Sequence, residues 1–171
     1  IKASIYSREI VKKLMFFACE MPHQKQPQQI KPIIEQALSL LGPNLKKAGV
    51  TCSFEIDEDN LVFPLDMIQF TQIIFNLVIN AIYVSPPKSK IQISVSHSKN
   101  HLLMEIKDQG PGVPKALRKK VFHPFYSTKP LGEGSGLGLS VVHGIVKAHQ
   151  GEIKIKENIP NGSNFQILLP L

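Results

Sequence analysis

Little in this chain invites a membrane or an oxidising compartment. No apolar run among its 171 residues reaches the roughly 20 that a transmembrane helix needs. No charged and apolar leader opens it either, so the chain itself is expected to be soluble. Cys19 and Cys52 are the two cysteines, too few for a disulfide framework or a zinc site. Both read as reduced thiols of a cytosolic domain. Acidic side chains are the scarcer charge: 13 Asp and Glu stand against 20 Lys and Arg, a formal net charge of +7. That balance favours anionic partners, nucleic acid among them. The basic residues are scattered, however, and their clusters go no further than Lys12-Lys13, Lys46-Lys47 and Arg118–Lys120. Solvated surface is the better reading, and no nucleic-acid partner is expected. Internal repeats and low-complexity tracts are missing as well. So is an initiator Met, which leads us to expect a fragment.

With 43% hydrophobic residues, one good core and a short appendage are within reach. Ala3, Ser7, Ile10, Leu14, Phe17 and Met21 recur in steps of four and three, so residues 3–21 are predicted as a helix with a bundle-like seam. Pro22 stops it. The polar stretch that follows reads as a linker over residues 22–30, with one domain from 31 to 171. Pro32 suits the first turn of a second helix bearing Ile33, Ile34, Ala37, Leu38 and Leu41, and Gly42-Pro43 is predicted to interrupt or end it. Strand patterns cover Thr51–Ile56 and Leu61–Leu65. A hairpin is expected from Ile91, Ile93 and Val95 paired with Leu102, Met104 and Ile106, turning at Lys99-Asn100. A short helix is expected around Pro114–Lys120. A last helix covers 137–149 and is ended by Gly151. Strands Glu152–Lys156 and Phe165–Leu169 then close the sheet across a turn at Asn161-Gly162.

The chain is organised around Phe70–Ser85. Phe70, Ile74, Leu77, Val78 and Ala81 make a broad apolar face at helical spacing. Gln72, Asn76 and Asn80 follow one another every four residues and stack along one side. Phe75 and Ile79 border that stripe, so the helix is apolar nearly all round, the mark of a buried helix. Buried carboxamides need partners. A lone Asn would simply bond neighbouring backbone, but two on one face, ahead of two glycine-rich loops, point to a ligand.

Asp108-Gln-Gly110-Pro-Gly112 comes directly off a strand. Its glycines let backbone approach a flat ligand, and its carboxylate can accept from an exocyclic amine; many plain turns look the same. Gly132-Glu-Gly134-Ser-Gly136-Leu-Gly138 runs into the last helix, where clustered N–H groups suit phosphate. It is not a dinucleotide fingerprint, because Leu139 stands where the third glycine belongs, and no Gly-Lys-Ser or Gly-Lys-Thr makes it a Walker loop. Between the loops, VFHPFYSTK carries Phe122, Phe125, Tyr126 and Lys129.

Taken in that order, these features resemble the catalytic and ATP-binding domain of two-component sensor histidine kinases, of the Bergerat-fold GHKL superfamily. The resemblance covers roughly residues 30–171. The run KPLGEGSGLGLSVVHGIVKAHQGEI is most similar to nitrogen-regulation-type kinases. Residues 1–21 are similar to the C-terminal part of the second helix of the dimerisation and phosphoacceptor domain. The resemblance implies a two-layer α/β sandwich, a mixed sheet on three helices, with ATP and Mg²⁺ as ligands. It implies that Asn80 ligates Mg²⁺ and that Asn76 lies beside the phosphates. Asp108 would receive the adenine amine, with Gly110, Gly112 and Val113 shaping that end. A lid would span about His123–Ser135, and Gly134, Gly136, Leu137 and Gly138 would present backbone to the phosphates. Implied partners are the protein's own dimerisation and phosphoacceptor domain, as a homodimer, and a response regulator receiver domain. A membrane-bound sensor is a possible parent.

Two positions and one absence depart from the pattern. Tyr83 stands where many relatives carry a Lys, which makes Lys129 the substitute phosphate cation. Glu133 replaces a common Gly. None of His23, His97, His101, His123, His143 or His149 sits in a His-Glu-x-x-Asn-Pro-Leu context, so the acceptor histidine must lie upstream and the chain holds no catalytic nucleophile. The first rival function is an ATPase of the gyrase, MutL or heat-shock chaperone type, which carries a Glu general base where this chain has Asn76. A carboxamide cannot take a proton from water. The second rival is a degenerate, non-catalytic binding module, which would lack the ATP residues present here.

Overall fold

The computed structural model describes residues 25–130 and 134–171. The helix expected over 3–21 and the first residues of the linker lie outside these. The linker's end is a correction: β1 (Gln26–Gln29) is a strand. It pairs antiparallel with β3 (Val62–Leu65), Gln26 facing Leu65 and Gln29 facing Val62. Its backbone is therefore satisfied within the fold. β1 is itself mostly exposed, whereas β3 carries the buried Phe63 and Leu65 of the ribbon, so the polar residues of β1 show no apolar alternation and resemble a linker.

The helix α1 (Ile30–Ala48) buries Ile30, Ile33, Ile34, Ala37 and Leu41 on one face. It does not break at Gly42-Pro43 as expected. Pro43 removes one donor, but it lies on the exposed side, where helices curve and their hydrogen bonds are longest. Leu41 and the partly buried Leu45 hold the turns on either side to the core. The helix ends at Gly49, whose φ of 68° turns its N–H back to Leu45 O and Lys46 O.

β2 (Thr51–Ile56), β4 (Lys90–Ser98), β5 (His101–Lys107), β6 (Glu152–Glu157) and β7 (Ser163–Pro170) form one five-stranded sheet in the order β2-β4-β5-β7-β6. β2 and β4 are parallel and the other pairs antiparallel. The expected hairpin is present, with Ser98 opposite His101. Alternation sends Ile91, Ile93 and Val95, Leu102, Met104 and Ile106, and Phe165, Ile167 and Leu169 to one buried face. Against that face lie α1, α2 (Met67–Val84) and α3 (Gly138–Ala148). The two-layer α/β sandwich is thus the observed fold. Burial also pushes the thiol of Cys52 up to about 11, which leaves it protonated and unreactive at neutral pH.

α2 occupies the middle of the helical layer, against α1, α3, β4 and β5. Asp66 caps it by accepting from Gln69 N–H at 3.0 Å, and Phe70, Ile73, Ile74, Leu77, Val78 and Ala81 are buried. These six contribute roughly 10 kcal/mol of gross transfer free energy. By length and composition alone α2 could cross a membrane, with 18 residues at a mean hydropathy of 1.6; here that apolarity fills the core. Burial is not all round, however. Gln72, Asn76 and Asn80 are half-buried, and Met67, Ile68, Tyr83 and Val84 are exposed.

After β5, Pro114–Lys120 forms no continuous helix but two short 3-10 turns, Lys115–Leu117 and Lys120–Phe122. At the end of α3 the left-handed residue is Gln150, with φ 58°, not Gly151. Gly151 serves close packing instead, since a Cβ there would lie 2.5 Å from Leu168 O.

Candidate functional site

The C-terminal half of α2, the loop after β5, the segment around Tyr126–Lys129 and the start of α3 enclose a cavity of about 260 Å³. Asn76, Asn80, Asp108, Gly112, Val113, Lys129, Gly134, Gly136 and Gly138 all line it. Gly110 and Leu137 do not. Gly110 sits behind Asp108, where a Cβ would come within 2.7 Å of Val84 Cγ2. Leu137 is buried, and its N–H donates to Ser135 Oγ at 3.4 Å. Residues 131–133, which carry Gly132 and Glu133, lie outside the described residues.

The four-residue spacing on α2 turns both asparagines toward the cavity. Neither bonds neighbouring backbone. Asn80 Oδ1 accepts from Lys129 Nζ at 3.3 Å, and that ammonium lies 3.9 Å from the centroid of the Tyr83 ring. The carboxamide of Asn76 makes no hydrogen bond among the described residues and faces Gly138, whose added Cβ would sit 3.2 Å from Asn76 Oδ1. The N-cap residue of α3, Leu137, gives no side-chain cap. The first N–H groups of that helix therefore remain for an anion.

Asp108 anchors the other end. It is only 2% exposed, and its Oδ1 accepts from Gly110 N–H at 2.9 Å and Ser163 N–H at 3.1 Å. Its backbone N–H donates to Ser163 O at 3.0 Å, and its carbonyl accepts from Asn158 Nδ2 at 2.8 Å. Burial raises the carboxyl above its ordinary value of 3.8, against the pull of the two N–H donors. Because both donors reach Oδ1, Oδ2 remains for a donor within the cavity. Among the described lining residues, Asp108 is the only acid and Lys129 the only base. Asn76 and Val84, at the two ends of the lining helix, are eight residues and so about 12 Å apart.

Sequence reasoning missed Asn158 and Ser163, which brace Asp108 from the β6–β7 hairpin. They reach it because β5 pairs with β7, Lys107 facing Asn164; the only local signal was the Asn161-Gly162 turn. It also missed Ile79, Val84, Leu139 and Phe165, apolar lining residues that look like ordinary core in sequence. Gly136, singled out in the sequence for its place in the glycine-rich loop, has a steric reason to be glycine. It has φ 66°, and a Cβ there would meet the Phe125 backbone at 2.5–2.7 Å, which only glycine accommodates.

A family model described as histidine kinase-, DNA gyrase B- and HSP90-like ATPase matches residues 65–171. The chain belongs to this family. Within it, the chain is 30% identical to the sensor protein TdiS of Thauera aromatica over 169 residues, covering 95% of this chain and 30% of that protein. It is 31% identical to sporulation kinase C of Bacillus subtilis over 163 residues, covering 95% and 38%. The chain thus spans 30–38% of the length of these two relatives. The catalytic domain of histidine kinase ThkA superposes with a TM-score of 0.78 at 30% identity, covering 86% of this chain and 95% of that one. ThkA in complex with the response regulator protein TrrA matches with a TM-score of 0.78 at 25% identity, covering 98% and 48%. As an ATPase-family domain, the chain uses a nucleotide. An acid beside a flat apolar end and an ammonium beside uncapped helix N–H groups suit its base and its phosphates.

Proposed function

We propose that this chain is the catalytic domain of a sensor histidine kinase, which transfers the γ-phosphate of Mg²⁺-ATP to a histidine on a helical domain upstream. The observation that carries this reading is Asp108, braced with Oδ2 left for an amine, as the only acid among the described residues that line the cavity. Adenine stacks between the α2 side chains Ile79 and Val84 and the Gly112-Val113 backbone, and its amine donates to Asp108 Oδ2. Asn76, Lys129, Gly134, Gly136 and Gly138 receive the phosphates. Asn80 Oδ1 is the protein's ligand to Mg²⁺. No group of three or more His, Cys, Asp or Glu among the described residues could hold a metal alone. One carboxamide oxygen plus phosphate oxygens and water suits Mg²⁺, which dehydrates reluctantly. The ion supplies charge neutralisation between phosphates.

Among the described residues that line the cavity, hydrolysis lacks a base. The carboxamide of Asn76 cannot take a proton from water, and Asp108 is committed to the adenine end. Transfer to a histidine, already nucleophilic at neutral pH, asks for positioning and charge neutralisation. Two of the chain's own histidines are otherwise engaged: His149 Nδ1 donates to Ile145 O at 2.9 Å, and His143 stacks on Phe122 at 5.4 Å. The finer reading assigns residues 1–21 to the end of a dimerisation and phosphoacceptor helix, a response regulator as the next acceptor, and a cytoplasmic location.

The test uses γ-labelled ATP. The chain alone should not label itself, whereas a separately supplied helical acceptor domain should become labelled, more slowly than when tethered. That label should be lost in acid, as phosphohistidine is. Self-labelling, or an acid-stable label on the acceptor, would overturn the reading.

A further inference from the structure

Tyr83 has no part in the scheme above, yet it stands where the cavity's ammonium is held. Lys129 Nζ meets two groups of α2, Asn80 Oδ1 at 3.3 Å and the Tyr83 ring at 3.9 Å from its centroid. Asn80 and Tyr83 are three residues apart and share one helix face, so both act on the same charge. The two supports are not equivalent. Asn80 Oδ1 is also the oxygen that a divalent ion needs, and two cations repel one another across a single carboxamide. Once the metal takes that oxygen, the ring face still supports the ammonium from α2. An aromatic face attracts a cation without offering a lone pair to a metal, so the two ions do not compete for it.

Resting on the ATP reading above, we propose that Tyr83 is a positioning residue for the phosphates: its ring holds the Lys129 ammonium at their end of the cavity while Asn80 serves the metal. The helix thereby supplies a seat for a cation where it carries no cation of its own. The competing explanation is incidental surface packing, since Tyr83 is 46% exposed. The two differ in what they ask of the side chain. A seat requires a π face, whereas packing requires only volume.

The experiment measures Mg²⁺-ATP and adenosine binding by calorimetry for the chain and for Tyr83→Trp, Tyr83→Phe and Tyr83→Leu. Each is also measured in a Lys129→Met background, with thermal melts to confirm folding. Trp and Phe should stay within about twofold of the unaltered chain, and Leu should weaken Mg²⁺-ATP by about two- to fivefold. Adenosine binding should not change. The Leu penalty should vanish in Lys129→Met, because the ring then has no charge to hold. Equal losses for Phe and Leu, a matching loss for adenosine, or a Leu penalty that persists without Lys129 would each overturn the role of Tyr83. An unaltered chain that fails to bind Mg²⁺-ATP brings down the ATP reading itself, whereas tight binding with a flat Trp-to-Leu series overturns the Tyr83 proposal alone.

Discussion

Replacing Asp108 by Asn changes one atom's chemistry at the adenine end and nothing of its shape. Asp108 Oδ1 already accepts from Gly110 and Ser163 N–H, so the amide oxygen of the new Asn must take that position. Its NH₂ then points where Oδ2 was. A charge-assisted bond to the adenine amine is lost and two donors face one another. Together these cost about 2–4 kcal/mol, which weakens ATP roughly 30- to 1,000-fold. GTP, which presents a carbonyl there, should gain on ATP or overtake it. Stability should move the other way. Burial raises the folded-state carboxyl above 3.8, so the folded chain holds this proton to higher pH than the unfolded chain. Asp108's contribution is therefore fully present below 3.8 and lost as pH rises through the raised value. Above that value the unaltered chain carries a buried charge that Asp108→Asn lacks. The variant should melt no lower at neutral pH, and the difference should fade in acid. Calorimetry with both nucleotides and melts across pH 3–8 (roughly, bracketing the carboxyl range) measure both arms. Unchanged ATP affinity would refute the amine assignment. A melting loss that tracks the affinity loss would show that Asp108 only braces the loop.

Asn80→Ala should leave the apo melt nearly unchanged, since Asn80 is half-buried and off the core face of α2. Its signature is loss of the extra thermal stabilisation that Mg²⁺ adds with ATP, while adenosine still binds. Stabilisation that survives would place the metal ligand elsewhere. Gly136→Ala forces a Cβ to within 2.5–2.7 Å of the Phe125 backbone at a φ of 66°. A left-handed alanine costs about 1–2 kcal/mol before that clash is relieved. ATP affinity should fall by more than tenfold with a smaller change in urea midpoint, and normal affinity would mean that the approach of the two segments is dispensable.

Local patterns carry far in this chain. Strict alternation marked β4 and β5, because each strand has one face on the core and one on solvent. The helical recurrence of Phe70, Ile74, Leu77, Val78 and Ala81 marked α2, and its four-residue Asn spacing already implied a shared direction for Asn76 and Asn80. Asp108 and the glycines pointed to a ligand only through their order along the chain, because an Asp with two glycines is also what many plain turns look like.

What the sequence alone could not decide depends on partners distant along the chain. β1 looked like a linker until β3 supplied its hydrogen bonds. Pro43 looked like a helix end, yet packing of Leu41 and Leu45 outweighs one missing bond on the exposed side. Asp108's second neighbour, Ser163, is 55 residues away, and no local propensity encodes that contact. The same holds for Lys129, which meets Asn80 across 49 residues and Tyr83 beside it. Composition and periodicity determine which residues are apolar, polar or free of Cβ, because those are properties of single side chains and their near neighbours. Only the β5–β7 register and the packing of α2 against α3 decide which of them share one cavity, because that depends on contacts between segments far apart in the chain.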